Sequence, residues 1–245
     1  MHKKVRLWAL ICGTGWFLPL ISGCMGAVGE VSANEAFALS ASALSGSENY
    51  GFAGELAVYN PGGKVEKSAS FEGEVNRHGN LKLNWTEPDN TAADGLDEKE
   101  RAVPKYKPLS LLEALNGRNV SVAYASPPVQ GEPVRIRIHL REEAAKQRIE
   151  DSLRKEFAEV VADKRLYVRH PEQARKLLEA SERKLEAALS TLKVDTVVLW
   201  TANSKSWFPE RMAEETELAY VWEGKTYSEK RTSETNFLAT AKVVQ

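Results

Sequence analysis

The first periodic signal in the chain is helical. Ala36-Phe37, Leu39 and Ala43-Leu44 recur every three to four residues behind Ser32-Ala33-Asn34-Glu35, which predicts a capped helix over about 33–45, stopped by Gly46. The period then falls to two. Phe52, Leu56 and Val58 alternate with Ala53, Glu55 and Ala57, and Phe71 and Val75 alternate with Glu72 and Glu74. Leu81, Leu83 and Trp85 alternate with Lys82 and Asn84. Asn60-Pro61-Gly62-Gly63 and Arg77-His78-Gly79-Asn80 supply turn chemistry between these runs, so the pattern predicts a three-stranded meander. Residues 86–107 are polar, carry Pro88, Gly95 and Pro104, and read as a long mobile loop.

A short helix at 108–115 and a strand at 119–125 follow, and then the cleanest alternation in the chain: Val134, Ile136, Ile138 and Leu140 against Arg135, Arg137, His139 and Arg141. Two long helices come next. Ile149, Leu153, Phe157, Val160 and Val161 stripe the first, over about 142–163, and Pro171 starts the second, whose apolar face runs through Leu177, Leu178, Leu185, Leu189 and Leu192. Strands are expected again at 194–200, 217–222, 226–231 and 237–243, with a turn at Glu223-Gly224. This order predicts one α+β domain over 32–245: a curved antiparallel sheet of two meanders, packed with helices that include the two long central ones.

The amino terminus has a different character. His2-Lys3-Lys4-Val5-Arg6 precedes an uncharged apolar run from Leu7 to Ile21, the layout of a secretory signal peptide and too short for a comfortable membrane span of about 20 residues. The run ends in Leu20-Ile21-Ser22-Gly23-Cys24, which resembles a bacterial lipobox. That resemblance implies a signal peptide over 1–23 and a diacylglycerol-modified Cys24 as the mature amino terminus. Residues 24–31 then form a lipidated tether, and the domain lies outside the cytoplasm, attached to a membrane or envelope through Cys24. The other cysteine, Cys12, lies inside the signal, so the mature chain can form no internal disulfide.

Composition narrows the function by exclusion. With 245 residues, 42% hydrophobic and 27% charged, the chain has the makings of a proper core, and neither collagen nor global disorder fits. The formal charge is −1, and losing Lys3, Lys4 and Arg6 with the signal takes it to −4, so there is no positive field for nucleic acid and electrostatics alone would not hold the mature domain at an anionic membrane. No His-Glu-x-x-His, Cys-x-x-Cys, phosphate loop or Gly-x-Ser-x-Gly elbow occurs. His78, His139 and His170 read as surface or capping residues, and no metal, cofactor or catalytic residue is implied.

Two features invite a binding role. Arg135, Arg137, His139 and Arg141 share one strand face at about 6–7 Å spacing, which suits lipid phosphates, anionic wall polymer or an acidic partner, or else a solvated outer face. Trp85, Trp200, Trp207 and Trp222, with Tyr220 and Phe208, fall in or beside strands, where they line an apolar cavity or fill a core. The order of helix, meander, helical middle and further meander behind a lipobox resembles the lipoprotein carriers of the LolA, LolB and LprG kind. The resemblance implies a curved sheet wrapped around helices with acyl chains held between. The expectation is therefore a non-enzymatic lipoprotein that binds an apolar or lipid-like ligand as carrier or sensor. Trp85, Trp200, Trp222 and Tyr220 would line the pocket, with Arg135 and Arg137 at its mouth. The alternative is an envelope scaffold lipoprotein that docks a protein partner and has no cavity.

Overall fold

The computed structural model describes residues 31–76, 81–86, 109–115 and 119–239. The signal peptide, Cys24, nearly all of the tether, the 77–80 turn, the predicted loop from residue 87 to 107 and the last predicted strand beyond residue 239 lie outside the described residues, while Thr86 closes a strand. Chain order is α1 (Ala33–Ser45), β1 (Tyr50–Tyr59), β2 (Val65–Val75), β3 (Leu81–Thr86), α2 (Ser110–Leu115), β4 (Val120–Tyr124) and β5 (Val134–Leu140). Then come α3 (Glu142–Ala162), a 3-10 turn (Lys164–Tyr167), α4 (Pro171–Ser190), β6 (Lys193–Ala202), β7 (Pro209–Trp222) and β8 (Lys225–Ala239). The architecture is α+β, as the pattern predicts.

Helix α1 begins as its sequence demands. Glu35 N–H donates to Ser32 Oγ at 3.3 Å, and Ser32 N–H donates to Glu35 Oε2 at 2.9 Å, a closed capping box. The Ser32 hydroxyl, which also donates to Glu35 Oε2 at 2.7 Å, and then the Ser32 N–H hold the Glu35 carboxyl below its ordinary pKa.

All eight strands form one antiparallel sheet in the order β3-β2-β1-β8-β7-β6-β5-β4. The two meanders are joined through β1 and β8, the first and last strands of the chain, which pair over ten positions from Tyr50↔Ala239 to Tyr59↔Lys230. The carboxy-terminal strands are longer than the periodicity predicts. β7 starts at Pro209 instead of 217, and β8 runs unbroken from Lys225 to Ala239 instead of splitting in two. The reason is chemical: several inward positions on these strands are polar, with Glu214, Thr216, Ser233 and Thr235 all buried, so apolar alternation vanishes where the backbone alternation continues. The β7–β8 turn falls at Glu223-Gly224, with φ of 49° and 77°, the left-handed pair that a two-residue hairpin requires.

The helices pack chiefly against β4 to β7, through α1 on β4 and β7, α2 on β5, α3 on β6 and α4 on β7. The face they cover, here the inner face, carries the core: Val134, Ile136, Ile138 and Leu140 of β5, Val198 and Trp200 of β6, and Leu111 and Leu115 of α2, each at most 1% exposed. The long helices bury only their sheet ends, Ala145 and Ile149 of α3 and Ala188 and Leu189 of α4. Arg154 clamps the two together by a bidentate bond to Glu186 at 2.9 and 3.0 Å.

Candidate functional site

Strand register determines which side chains meet. Trp85 stands opposite Phe71, Phe71 opposite Gly54, Gly54 opposite Thr235, Thr235 opposite Met212, and Met212 opposite Trp200. Cross-strand partners share a face, so this row crosses the inner face from the β3 edge to the ground beneath α1. One step along the strands, Phe52 and Phe237 pair in the neighbouring row. The rings touch in two groups, bridged by the backbone pairing of Phe52 with Phe237. Trp85 meets Phe71 edge-on at 5.3 Å, Phe71 lies 6.2 Å from Phe52, Trp200 lies 5.9 Å from Phe237 and meets Phe37 of α1 edge-on at 5.4 Å, and Tyr50 flanks Phe237 at 6.3 Å.

Two glycines shape this band. A Cβ at Gly54 would fall 2.6 Å from Phe71 Cζ and 1.9 Å from the Glu234 carbonyl oxygen, and one at Gly73 would fall 2.5 Å from Phe52 Cζ. Phe71 and Phe52 therefore lie across bare backbone, and the inner face of β1 and β2 becomes a low aromatic floor. Burial pushes the Tyr50 phenol up from its ordinary pKa.

The band ends differently at its two sides. Trp200 is fully buried, and its Nε1–H donates to Ser40 Oγ of α1 at 2.8 Å. Trp85 is half-buried on the edge strand. A polar cluster adjoins the covered half: Arg148 of α3 donates to Glu214 of β7 and to Thr216 Oγ1 at 3.4 Å, Thr216 donates to Glu214 at 3.0 Å, and Thr196 and Thr216 hydroxyls lie 3.0 Å apart.

The predicted ligand residues are not brought together. Trp85 and Trp200 do share the band, whereas Tyr220 and Trp222 share its face but lie eight and ten residues further along β7 than Met212, about 27 and 34 Å away. Tyr220 stacks there on Tyr227 at 5.8 Å. Burial, first, and then Glu229 raise the Tyr220 pKa. Arg135 and Arg137 correct the expectation of a cationic mouth. They alternate with the buried Ile136, and so point from the opposite, outer face of the sheet. The predicted stripe of cations is real as a stripe: Arg135, Arg137, His139 and Arg141 are all exposed. His139 Nε2 sits 2.5 Å from Asp195 Oδ1, a hydrogen bond on that solvated face.

The outer face also holds two open depressions, of about 1250 and 600 Å³. The larger is bordered by Tyr59, His139, Asp195, Glu217 and Lys230, the smaller by Arg137, Leu199, Ala213 and Glu234. Charged rims of this kind suit polar contacts better than an acyl chain. Glu234 there is bonded to Arg211, which holds its carboxyl below the ordinary pKa. Among the described residues no group of three or more His, Cys, Asp or Glu is arranged to hold a metal ion, and no helix is long and apolar enough to cross a membrane.

Sequence reasoning found the ends of the aromatic band and missed its middle. Phe52, Phe71 and Phe237 are visible as strand residues, but only the pairing of β1 with β8 sets them between Trp85 and Trp200. Arg148 and Glu214 gave no signal, since each looks like one more charge among many.

No family model matches the chain. No curated protein matches it either. Among solved structures, a LolA superfamily protein from Nitrosomonas europaea aligns over 86% of this chain and 94% of its own, at 10% identity and a TM-score of 0.26. An acyl-CoA thioesterase II from Mycobacterium marinum aligns over 79% of this chain and 82% of its own, at 13% identity and a TM-score of 0.16.

Proposed function

We propose that this chain is a lipid-anchored, extracytoplasmic binding protein that holds an apolar, acyl-chain-like ligand as carrier or sensor and performs no catalysis of its own. The observation that carries the reading is the aromatic band. Its rings run from the half-buried Trp85 on an edge strand, over the glycine-levelled floor of β1 and β2, to Trp200 beneath α1. The helices pack chiefly on β4 to β7, so the Trp85 end of the floor belongs to the half of the sheet they do not claim. Phe52 and Phe71 are themselves buried, so a flexible hydrocarbon chain would enter beside the half-buried Trp85 at the edge strand, each buried methylene contributing about 0.8 kcal/mol. The lipobox of residues 20–24 supports the anchor.

Trp200 is a poor test of ligand binding because it holds up the core, and Trp85 is a good one. Mature lipoprotein purified gently from cells should show, by native mass spectrometry, an added mass that organic extraction removes, whereas acyl groups on Cys24 are covalent and stay. Trp85→Glu should lower the occupied fraction by about tenfold or more, since a carboxylate replaces an apolar contact. A wild-type protein that shows no removable mass refutes the reading and returns the search to an envelope protein partner. The anchor has a separate check. Cys24→Ala should abolish lipid labelling and leave uncut precursor, and continued labelling would refute the lipobox.

A further inference from the structure

Helices α3 and α4 reach well past the domain they are rooted in. The last buried residue of α3 is Ile149, and thirteen more residues, about 20 Å of helix, follow before its end at Ala162. α4 returns over a similar length before Ala188 and Leu189 are buried. At the outer end the chain exposes aliphatic side chains: Val168 at 76%, Leu177 at 67%, Val160 at 46% and Leu166 at 43%. Between them Tyr167 is half-buried, its hydroxyl donating to the Val161 carbonyl at 2.9 Å, so the turn has a defined shape.

The charge around these residues differs from the rest of the chain. From Asp163 to Lys176 there are five Lys or Arg and two acidic residues, in a protein whose formal charge is −1. Asp163 is bonded to Arg165 and Glu172 to Arg175, while Lys164, Arg169 and Lys176 make no ion pair among the described residues. A narrow convex tip of separate aliphatic side chains offers far less than the ~800 Å² per partner of a stable protein interface. Two copies would bring like charges together. An anionic lipid surface suits both features, taking the aliphatics between headgroups and pairing the cations with phosphates.

We infer that the α3–α4 tip, through Leu166 and Val168 flanked by Lys164 and Arg169, docks onto a bilayer rich in anionic phospholipid. This surface is distinct from the aromatic band, and its test does not depend on any ligand there. Hydrogen exchange followed by mass spectrometry on the full chain reads the tip directly, with vesicles of phosphatidylcholine alone and with about one third phosphatidylglycerol. Amides of residues 163–178 should exchange about threefold or more slowly on the anionic vesicles, and β5 amides should not change. Leu166→Asp with Val168→Asp should remove that protection. Lys164→Glu with Arg169→Glu should weaken vesicle binding by about 30-fold or more, the equivalent of two lost contacts to an anionic surface, and so bring exchange at the tip back to its lipid-free rate. All four positions are exposed, and an unchanged exchange pattern in the sheet confirms that each variant is folded. Protection absent from both vesicles, equal on both, or produced without lipid by raising protein concentration overturns the inference, the last by assigning the tip to a second copy.

Discussion

Trp200→Ala should lower the unfolding free energy by about 3–5 kcal/mol, among the larger losses that truncating a core side chain produces. Three effects add at this position. The indole is 0% exposed, so its removal opens a cavity that the rigid pairing of β6 with β5 and β7 does little to close. It is one of the contacts between sheet and α1, meeting Phe37 edge-on at 5.4 Å and Phe237 at 5.9 Å, and both rings lose that contact. Its Nε1–H also satisfies Ser40 Oγ, a hydroxyl that is itself 0% exposed on α1. An unpaired buried hydroxyl costs about 1–3 kcal/mol, so Trp200→Phe, which keeps most of the apolar bulk, should still lose on that order. Adding Ser40→Ala to Trp200→Phe should recover part of it. Urea unfolding of the full chain with each variant separates the packing and hydrogen-bond parts. A Trp200→Ala loss below about 1 kcal/mol would contradict this account of the core.

The same residue shows what could be read from the sequence. β5 is found to the residue because Val134, Ile136, Ile138 and Leu140 all face inward and all are apolar, and the same alternation already separates them from the arginines. α1 is found through its capping box, and α3 and α4 through long stripes at helical spacing. β7 and β8 are cut short because periodicity in hydrophobicity cannot follow a strand whose inward positions are Glu214, Thr216, Ser233 and Thr235. The apolar stripes of α3 and α4 predict their existence but not their burial, since nothing local says that Val160 and Leu177 would stay exposed.

The candidate site is harder still, because it is a product of register. That Trp85 and Trp200 share a face follows from five successive strand pairings, of which β1 with β8 joins the two ends of the chain. Assigning Arg135 and Arg137 to the mouth of the same pocket overlooks a purely local constraint: a strand residue next to a buried one points away from it.

Arg148→Met should cost about 3–5 kcal/mol, although an exposed ion pair of the same composition would contribute less than about 1 kcal/mol. The difference lies in where Glu214 sits. Its side chain is 6% exposed, on the inner face of β7 and beneath α3, and Arg148 is 18% exposed. Taking away the guanidinium leaves a carboxylate in a place where water cannot replace it. The threonine hydroxyls around it are weaker donors and are already shared, Thr216 with both Glu214 and Thr196. The pair itself is not a strong source of stability. Both charges were desolvated to form it, and the Arg148 Nε is buried without a hydrogen-bond partner. Arg148→Met together with Glu214→Leu should therefore restore most of the loss and can exceed the native stability, because hydrocarbon fills the space with no charge to desolvate. The coupling between the two sites, from urea unfolding of the four proteins, should be about 2 kcal/mol or more. A double variant as unstable as Arg148→Met alone would mean that the cost comes from lost packing at the foot of α3. The near-native double variant expected here would mean that the cost of Arg148→Met is that of a buried carboxylate left without its cation, and that the pair itself adds little to stability.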